Sequence, residues 1–527
     1  MKSLPCIAGA LALSFSSLHA QAPLAETIEV RVTSVDVAVV DKSGNPVPGL
    51  TSDDFELTES GVPQPITNFS EIHDSTATPR RLLIYVDGVS MNPAARAQNF
   101  AALEASLPSL IRAGDEAMLV FRDATGSVVT PFTGDHAELA RRIHDAAASA
   151  GGAINPMTAR SRIVEHATEM VADSRSPTSR KINLEQAYNE SSKAARILAA
   201  ELHASETAIL DDARTLLTSL AGVDGKRAFV FIGSDLTANP GDDLIAQIDN
   251  QFYVFLRQAI RRGNRPVERR ANASLAPALA ALAREANLNG VTMYVVDTDR
   301  SRAADPGEKA AADADPTLAA IASTTGGTAL AGKAIEKALG GLARDLSTYY
   351  SLGYRSPQDG DAERPIAVKV KRPGLFVRAR NAYVGRSAED ELHDRVVANV
   401  YHAGVRSDFP VSIAAGTPER LDDGQYKVKV TVTFPSSMTF VPRDGSLAGE
   451  FAVSFATGRE DGAISAVTRA VQPMKFPGNA AAAIAARKTF TYDAVLAVRP
   501  GQQVISVAVT DTLSNTSGFA RTKIDAH

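Results

Sequence analysis

The sequence predicts an α/β protein: a doubly wound, mostly parallel sheet set between a small N-terminal β unit and a C-terminal β-sandwich. Three observations predict it. Near the start, Ile28, Val30 and Val32, then Val35, Val37 and Val39, alternate with polar residues, the period of strands that bury one face. Between residues 81 and 296, apolar runs such as 82–86 and 228–232 alternate with amphipathic helical stretches. Strands buried on both faces and joined by helices read this way. Beyond residue 405, Tyr426, Val428, Val430, Val432 and Phe434 alternate with Lys and Thr, and Pro435, Gly445, Gly462 and Pro500-Gly501 punctuate the region. That pattern is a β-sandwich.

Residues 1–20 have the form of a cleavable signal peptide. Lys2 precedes an apolar run from Cys6 to Phe15, and Ser17-Leu18-His19-Ala20 ends on a small residue before Gln21. The run is too short to span a bilayer, and no later segment approaches the length of a transmembrane helix. The mature chain is therefore expected to be exported, periplasmic or secreted, with no membrane span. Cleavage would remove Cys6, the single cysteine, and with it any disulfide or thiolate chemistry. Burial alone then holds the fold. With 44% apolar residues in 527, the chain can support about two to four domains. A net charge of −5 is mild and argues against a nucleic-acid partner.

The elements follow in order. Residues 27–75 form the β unit, turning at Asp41-Lys42-Ser43-Gly44-Asn45-Pro46, where Gly44 accepts positive φ and Pro46 cannot continue a ladder. The α/β domain occupies 80–350. Its strands are read at 82–86, 117–121, 128–132, 228–232 and 291–296. Asn92-Pro93 starts its first helix, and Pro108 predicts a kink there. A helical insertion covers about 156–221, with Leu198, Leu202, Ile209, Leu216 and Leu220 near heptad spacing, expected to pack on the sheet. Another helix spans 244–260. Residues 351–386 form a β segment expected to pair with the N-terminal unit, 387–405 a helical linker, and 406–527 the sandwich.

Several stretches carry a resemblance. They are Val37-Ala38-Val39-Val40-Asp41, Pro48-Gly49-Leu50-Thr51, Asp54-Phe55-Glu56-Leu57 and Glu59-Ser60-Gly61 near the start, then Pro240-Gly241. Leu318-Ala319 with Thr325-Gly326-Gly327 follows, then residues 349–354, 368–374 and 377–380. In this order they resemble the bacterial exported von Willebrand factor A-related family of the acidobacterial type. The resemblance implies an α/β domain used for binding. It also implies where a divalent cation would sit: an Asp-x-Ser-x-Ser loop, a threonine loop and an aspartate loop, hard oxygen donors that suit Mg²⁺. Here the first loop reads Asp87-Gly88-Val89-Ser90-Met91, with apolar residues at both serine positions. Gly151-Gly152-Ala153 stands where a threonine loop belongs, and Gly233-Ser234-Asp235 is one residue out of phase. Asp87, Ser90 and Asp235 thus read as a degenerate remnant. No cofactor is expected.

Gly327 to Ala334 approaches a phosphate-loop pattern, but Ala334 replaces the Ser/Thr that binds Mg²⁺ and a helix precedes it. It reads as a glycine-terminated helix followed by a short strand. The nine histidines make no metal-spaced pair, and no Gly-x-Ser-x-Gly elbow occurs. Asp297, Asp299 and Asp305 read as a solvated loop. Arg257, Arg261, Arg262, Arg265, Arg269 and Arg270 form the sharpest charge cluster, either a grip on an anionic partner or an exposed helix end. The expectation is a non-enzymatic binding or scaffolding protein with an unidentified protein or cell-envelope partner. Mg²⁺-dependent adhesion through Asp87 and an unrecognised hydrolase are the alternatives.

Overall fold

The chain leaves its N-terminal β unit at Ile72 and returns at Tyr349, and these two residues face each other in one antiparallel ladder. Everything between is therefore an insertion whose ends meet, an arrangement a host unit tolerates because its own ladder closes across the gap. The computed structural model describes residues 32–73, 79–91, 93–123, 126–149, 156–174, 183–223, 225–233, 236–261, 272–298, 316–330, 335–356, 362–460, 462 and 464–527. The expected signal peptide and the helix-start residue Asn92 lie outside them.

Two four-stranded antiparallel sheets build the host unit. One runs Phe376–Ala379, Val32–Val40, Tyr349–Arg355, Ile66–Ile72; the other runs Ala382–Val384, Glu363–Val370, Phe55–Glu59, Val62–Gln64. The alternating valines 35, 37 and 39 point into a core shared with Phe55, Leu57 and Tyr350. Tyr350 is buried but not orphaned: its hydroxyl donates to Val47 O at 2.7 Å and accepts from Leu50 N at 3.1 Å. The strand that returns the chain begins at Tyr349, ahead of the expected start at 351.

The inserted domain centres on a six-stranded sheet in the order Ala329–Leu330, Val291–Asp297, Arg227–Gly233, Arg81–Asp87, Glu116–Asp123, Gly126–Thr133. The last strand is antiparallel and the others are parallel. Successive residues of Arg81–Asp87 feed opposite cores. Leu82, Ile84 and Val86 meet Phe100, Leu107 and Leu339; Leu83 and Tyr85 meet Leu210, Leu279 and Leu282. Helices cover both faces, so the strands are apolar throughout rather than alternating.

The helical insertion departs from expectation in two ways. The helix Leu184–Leu217 is 34 residues long, and only its C-terminal part packs on the sheet. Its N-terminal part joins Pro156–Ser174 and Asp242–Gln251 in a separate core around Tyr188, Leu198, Leu244, Ile248 and Phe252. The helix expected over 244–260 is two, Asp242–Gln251 and Tyr253–Arg261, parted at Phe252, which is buried between them. The helix Pro93–Leu110 runs through Pro108 near its end.

After the helix Ala388–Tyr401, two antiparallel sheets enclose Val428, Val430, Val432 and Phe434 against Val453, Phe455, Val507 and Val509. The Gly501–Asp511 strand, unlike the alternating Tyr426–Pro435, is buried on both faces over 503–511. The physical reason is that Ala388–Tyr401 covers its outer face, packing Val396 and Val400 near Val504, Ala508 and Phe519. Ser506, on that face, donates to Val396 O at 2.7 Å and is bonded by the Asn399 amide at 3.0 Å. Among the described residues no helix is long and apolar enough to cross a membrane.

One family-like motif has a purely structural explanation. Thr325 Oγ1 accepts from Met293 N at 2.9 Å and donates to Ala322 O at 2.9 Å, so it binds the end of the helix Pro316–Thr324 to a central strand. Gly326 turns the chain with φ 84°, and a Cβ on Gly327 would lie 1.8 Å from Met293 O. Gly327→Ala is expected to destabilise the α/β domain by about 3 kcal/mol, the upper range for overpacking. Thermal unfolding measures it, and a wild-type melting temperature would refute the close approach.

Candidate functional site

In open α/β sheets ligands bind where loops leave the carboxyl ends of the parallel strands. Asp87 ends the strand Arg81–Asp87 there and is 2% exposed. Its register partner on the neighbouring strand is Arg122, whose Nη1 stands 3.4 Å from Asp87 Oδ1. Asp87 Oδ1 also accepts from Val89 N at 3.2 Å, and Ser90 Oγ donates to Asp87 O at 3.4 Å. Arg96, one helical turn on, donates to Gly88 O at 2.7 Å. Burial pushes the Asp87 carboxyl up from its usual range, while Arg122, Ser90 and Val89 pull against it.

These contacts test the implied cation site. A Mg²⁺ ion needs several hard oxygen donors in near-octahedral geometry. The Asp87 carboxylate instead faces a guanidinium, Ser90 is turned back onto its own loop, and Met91 is fully buried where a serine ligand would stand. The first loop, the part of the implied site that the described residues include, does not fit the ion. Among the described residues no group of three or more His, Cys, Asp or Glu side chains is placed to hold a metal. Asp235 and Gly151-Gly152-Ala153 lie outside the described residues.

Sequence reasoning missed Arg122 and Arg96. The signal for Arg122 was present: it follows the apolar run 117–121 directly, the place of Asp87 after 82–86. Parallel strands in register then set the two side by side.

A cavity of about 340 Å³ opens beside this edge, between the helical insertion and the loop after Arg227–Gly233. Glu206 on the long helix accepts from Thr237 N at 2.8 Å, and Arg160 pairs with Asp243 at 2.6 Å across the mouth. A Cβ on Gly241, at φ 78°, would meet Ala199 Cβ at 2.5 Å, so the Pro240-Gly241 turn lies directly on the long helix. Of the arginine cluster, Arg257 and Arg261 are exposed on the helix Tyr253–Arg261. Arg262, Arg265, Arg269 and Arg270 lie outside the described residues, as do Asp299, Asp305 and residues 331–334. Asp297, expected in a solvated loop, is instead 8% exposed at the end of its strand, because the strand continues through it.

The fold defines a mixed α/β protein in which several sheets flank helical regions. No family model matches the chain, and no curated protein matches it. Among solved structures, it is similar to the pilus adhesin SpaC from Lactobacillus rhamnosus GG at 9% identity and a TM-score of 0.25, over 92% of this chain and 57% of that one. It is also similar to an aerotolerance-related membrane protein from Bacteroides fragilis at 10% identity and a TM-score of 0.23, over 50% and 98%. Bacteroides uniformis beta-glucuronidase aligns at 11% identity and a TM-score of 0.16, over 34% and 19%. Likenesses this slight carry no argument about function.

Proposed function

We propose that this chain is an exported binding or scaffolding protein of the von Willebrand factor A-related type, with a doubly wound α/β domain that recognises a protein or cell-envelope partner without a divalent cation. The observation that carries the reading is the Asp87–Arg122 pair. A cation in such domains supplies fixed positive charge beside the carboxylate, and here a guanidinium on the adjacent strand supplies it within the fold. Recognition is then left to the loops on the same edge, including 236–241 beside the 340 Å³ cavity. Export rests on the leader pattern of residues 1–20. No catalytic role is assigned.

The test places a photoreactive residue at Asn239, with Asn45 in the exposed turn of the β unit as control, and irradiates the protein with its native envelope fraction. A discrete adduct at Asn239, absent at Asn45 and unchanged by EDTA, is expected. Mg²⁺ should leave the melting temperature unmoved in wild type and Asp87→Ala alike. No adduct above control defeats the binding reading. Loss of the adduct in EDTA, or a Mg²⁺-induced rise that Asp87→Ala removes, establishes cation-dependent adhesion instead.

A further inference from the structure

A second cavity, of about 490 Å³, lies at the opposite end of the parallel sheet, where the host β unit meets the inserted domain. Its volume is that of a small-molecule site. Among its described lining residues the charged ones are Arg227, Arg380 and Asp36. Asp36 is already engaged by Lys226, whose Nζ lies 3.4 Å away and is held over the Tyr349 ring at 4.6 Å. Among the described lining residues, two guanidiniums thus stand beside one carboxylate.

Arg380 belongs to the Val377-Arg378-Ala379-Arg380 stretch that no part of the proposed function uses. Its guanidinium stands 5.5 Å from the Tyr383 ring, whose other cationic neighbour, Arg364, is at 4.9 Å. Nη1 donates to Asn287 O at 3.4 Å and Nη2 to Ser34 O, two neutral carbonyls. Nε is buried and donates to no acceptor, and among the described residues Arg380 forms no ion pair. The position is fixed from behind. Asn381 N donates to Thr324 O at 3.0 Å, and a Cβ on Gly326 would lie 2.8 Å from Arg380 N. Arg227 is placed by a similar close approach, since a Cβ on Gly290 would lie 2.8 Å from its Nη2.

Arg380 keeps a buried Nε without an acceptor, and the carboxylate that acts on it, Asp36, is shared with Lys226; an oxyanion is the ligand that satisfies such a donor. We propose that this cavity binds a small organic oxyanion. Its phosphate, sulfate or carboxylate head sits between Arg380 and Arg227, and its body lies against Tyr349 and Ile72. The site is independent of the carboxyl-end loops, so a partner bound there and an anion bound here succeed or fail separately.

Titration calorimetry on the full mature chain, with phenyl phosphate, phenyl sulfate, benzoate and inorganic phosphate as probes, tests it and separates the three head groups. Saturable binding of at least one aromatic probe, tighter than inorganic phosphate, is expected. Arg380→Gln should weaken it about tenfold or more, the loss of one charge-assisted contact. Arg380→Lys should retain part of the affinity, and Arg443→Gln, on an exposed strand of the sandwich, all of it. If Arg380→Gln does not fold, Arg227→Gln replaces it. No saturable binding by any probe, or binding unchanged in the folded Arg→Gln variants, overturns the proposal.

Discussion

Asp115→Ala is expected to lower the unfolding free energy of the α/β domain by about 3–5 kcal/mol, the range found when one member of a buried ion pair is removed. Arg80 is 1% exposed and Asp115 3%. Asp115 accepts from Arg80 N at 2.7 Å, Arg80 Nε at 2.9 Å and Arg80 Nη2 at 2.5 Å, and from Arg112 N at 2.8 Å. Burial pushes its carboxyl up, but the bonds from Arg80 and the Arg112 backbone outweigh it and hold it below its usual range. The same Arg80 Nη2 reaches Leu110 O at 2.9 Å, at the end of the first helix. One guanidinium thus ties together the starts of two adjacent parallel strands and the helix between them. Alanine leaves it buried and uncompensated. Urea unfolding measures the loss, and a change under about 1 kcal/mol, the level of a surface pair, would refute the assignment.

His402→Gln is expected to flatten the acid sensitivity of the protein. His402 is 3% exposed at the junction of the α/β domain and the C-terminal sandwich. Its Nε2 lies 2.9 Å from Ser219 O, its Nδ1 accepts from Gly404 N at 3.0 Å, and Phe132 meets it edge-on at 5.3 Å. Nε2–H must therefore donate, and both nitrogens are used by the neutral ring. Burial, with help from Arg81 and Arg521 and against the Ser219 carbonyl, pushes its pKa down from 6.5 to about 4. Between these values the unfolded chain takes up a proton that the folded chain refuses. Stability contributed by the neutral ring is complete above pH about 6.5, falls as the pH drops through that window, and levels off below about 4. At about 1.4 kcal/mol per unit, the loss is about 3 kcal/mol. The difference between wild type and His402→Gln across pH 4 to 6.5 isolates it from the carboxylates that titrate nearby. Identical pH slopes would show that His402 is not held neutral.

The stretches that carry the family resemblance turn out to be fasteners between segments far apart in the chain. Asp54 receives both Nε and Nη2 of Arg372, at 2.8 and 2.9 Å, and these bonds with the Thr51 backbone hold its carboxyl at about 2. Arg378 pairs with Asp345, and Thr325 bridges to Arg380 across an isolated antiparallel contact. Each motif was legible as a pattern, and none announced its partner. Asp87 was singled out by that resemblance, as the first residue of the implied cation loop, and it stands directly after a doubly buried strand. Arg122 beside it, and Lys226 against Asp36, were not, because their meaning depends on strand neighbours that periodicity does not specify.

By itself the sequence determined the kinds of element, since apolar period follows directly from strand and helix geometry. It located the strands of the parallel sheet, the alternating strand at 426–434 and a helix within 387–405. Only the tertiary structure decided that Tyr349 pairs with Ile72, that the long helix divides between two cores, and that Gly501–Asp511 is covered on both faces. It also decided that the Asp87 carboxylate faces a guanidinium. The physical reason is common to all of these. Burial pattern is a local property of the chain, whereas charge pairing and face coverage are set by residues tens to hundreds of positions away, brought together only when the sheets close.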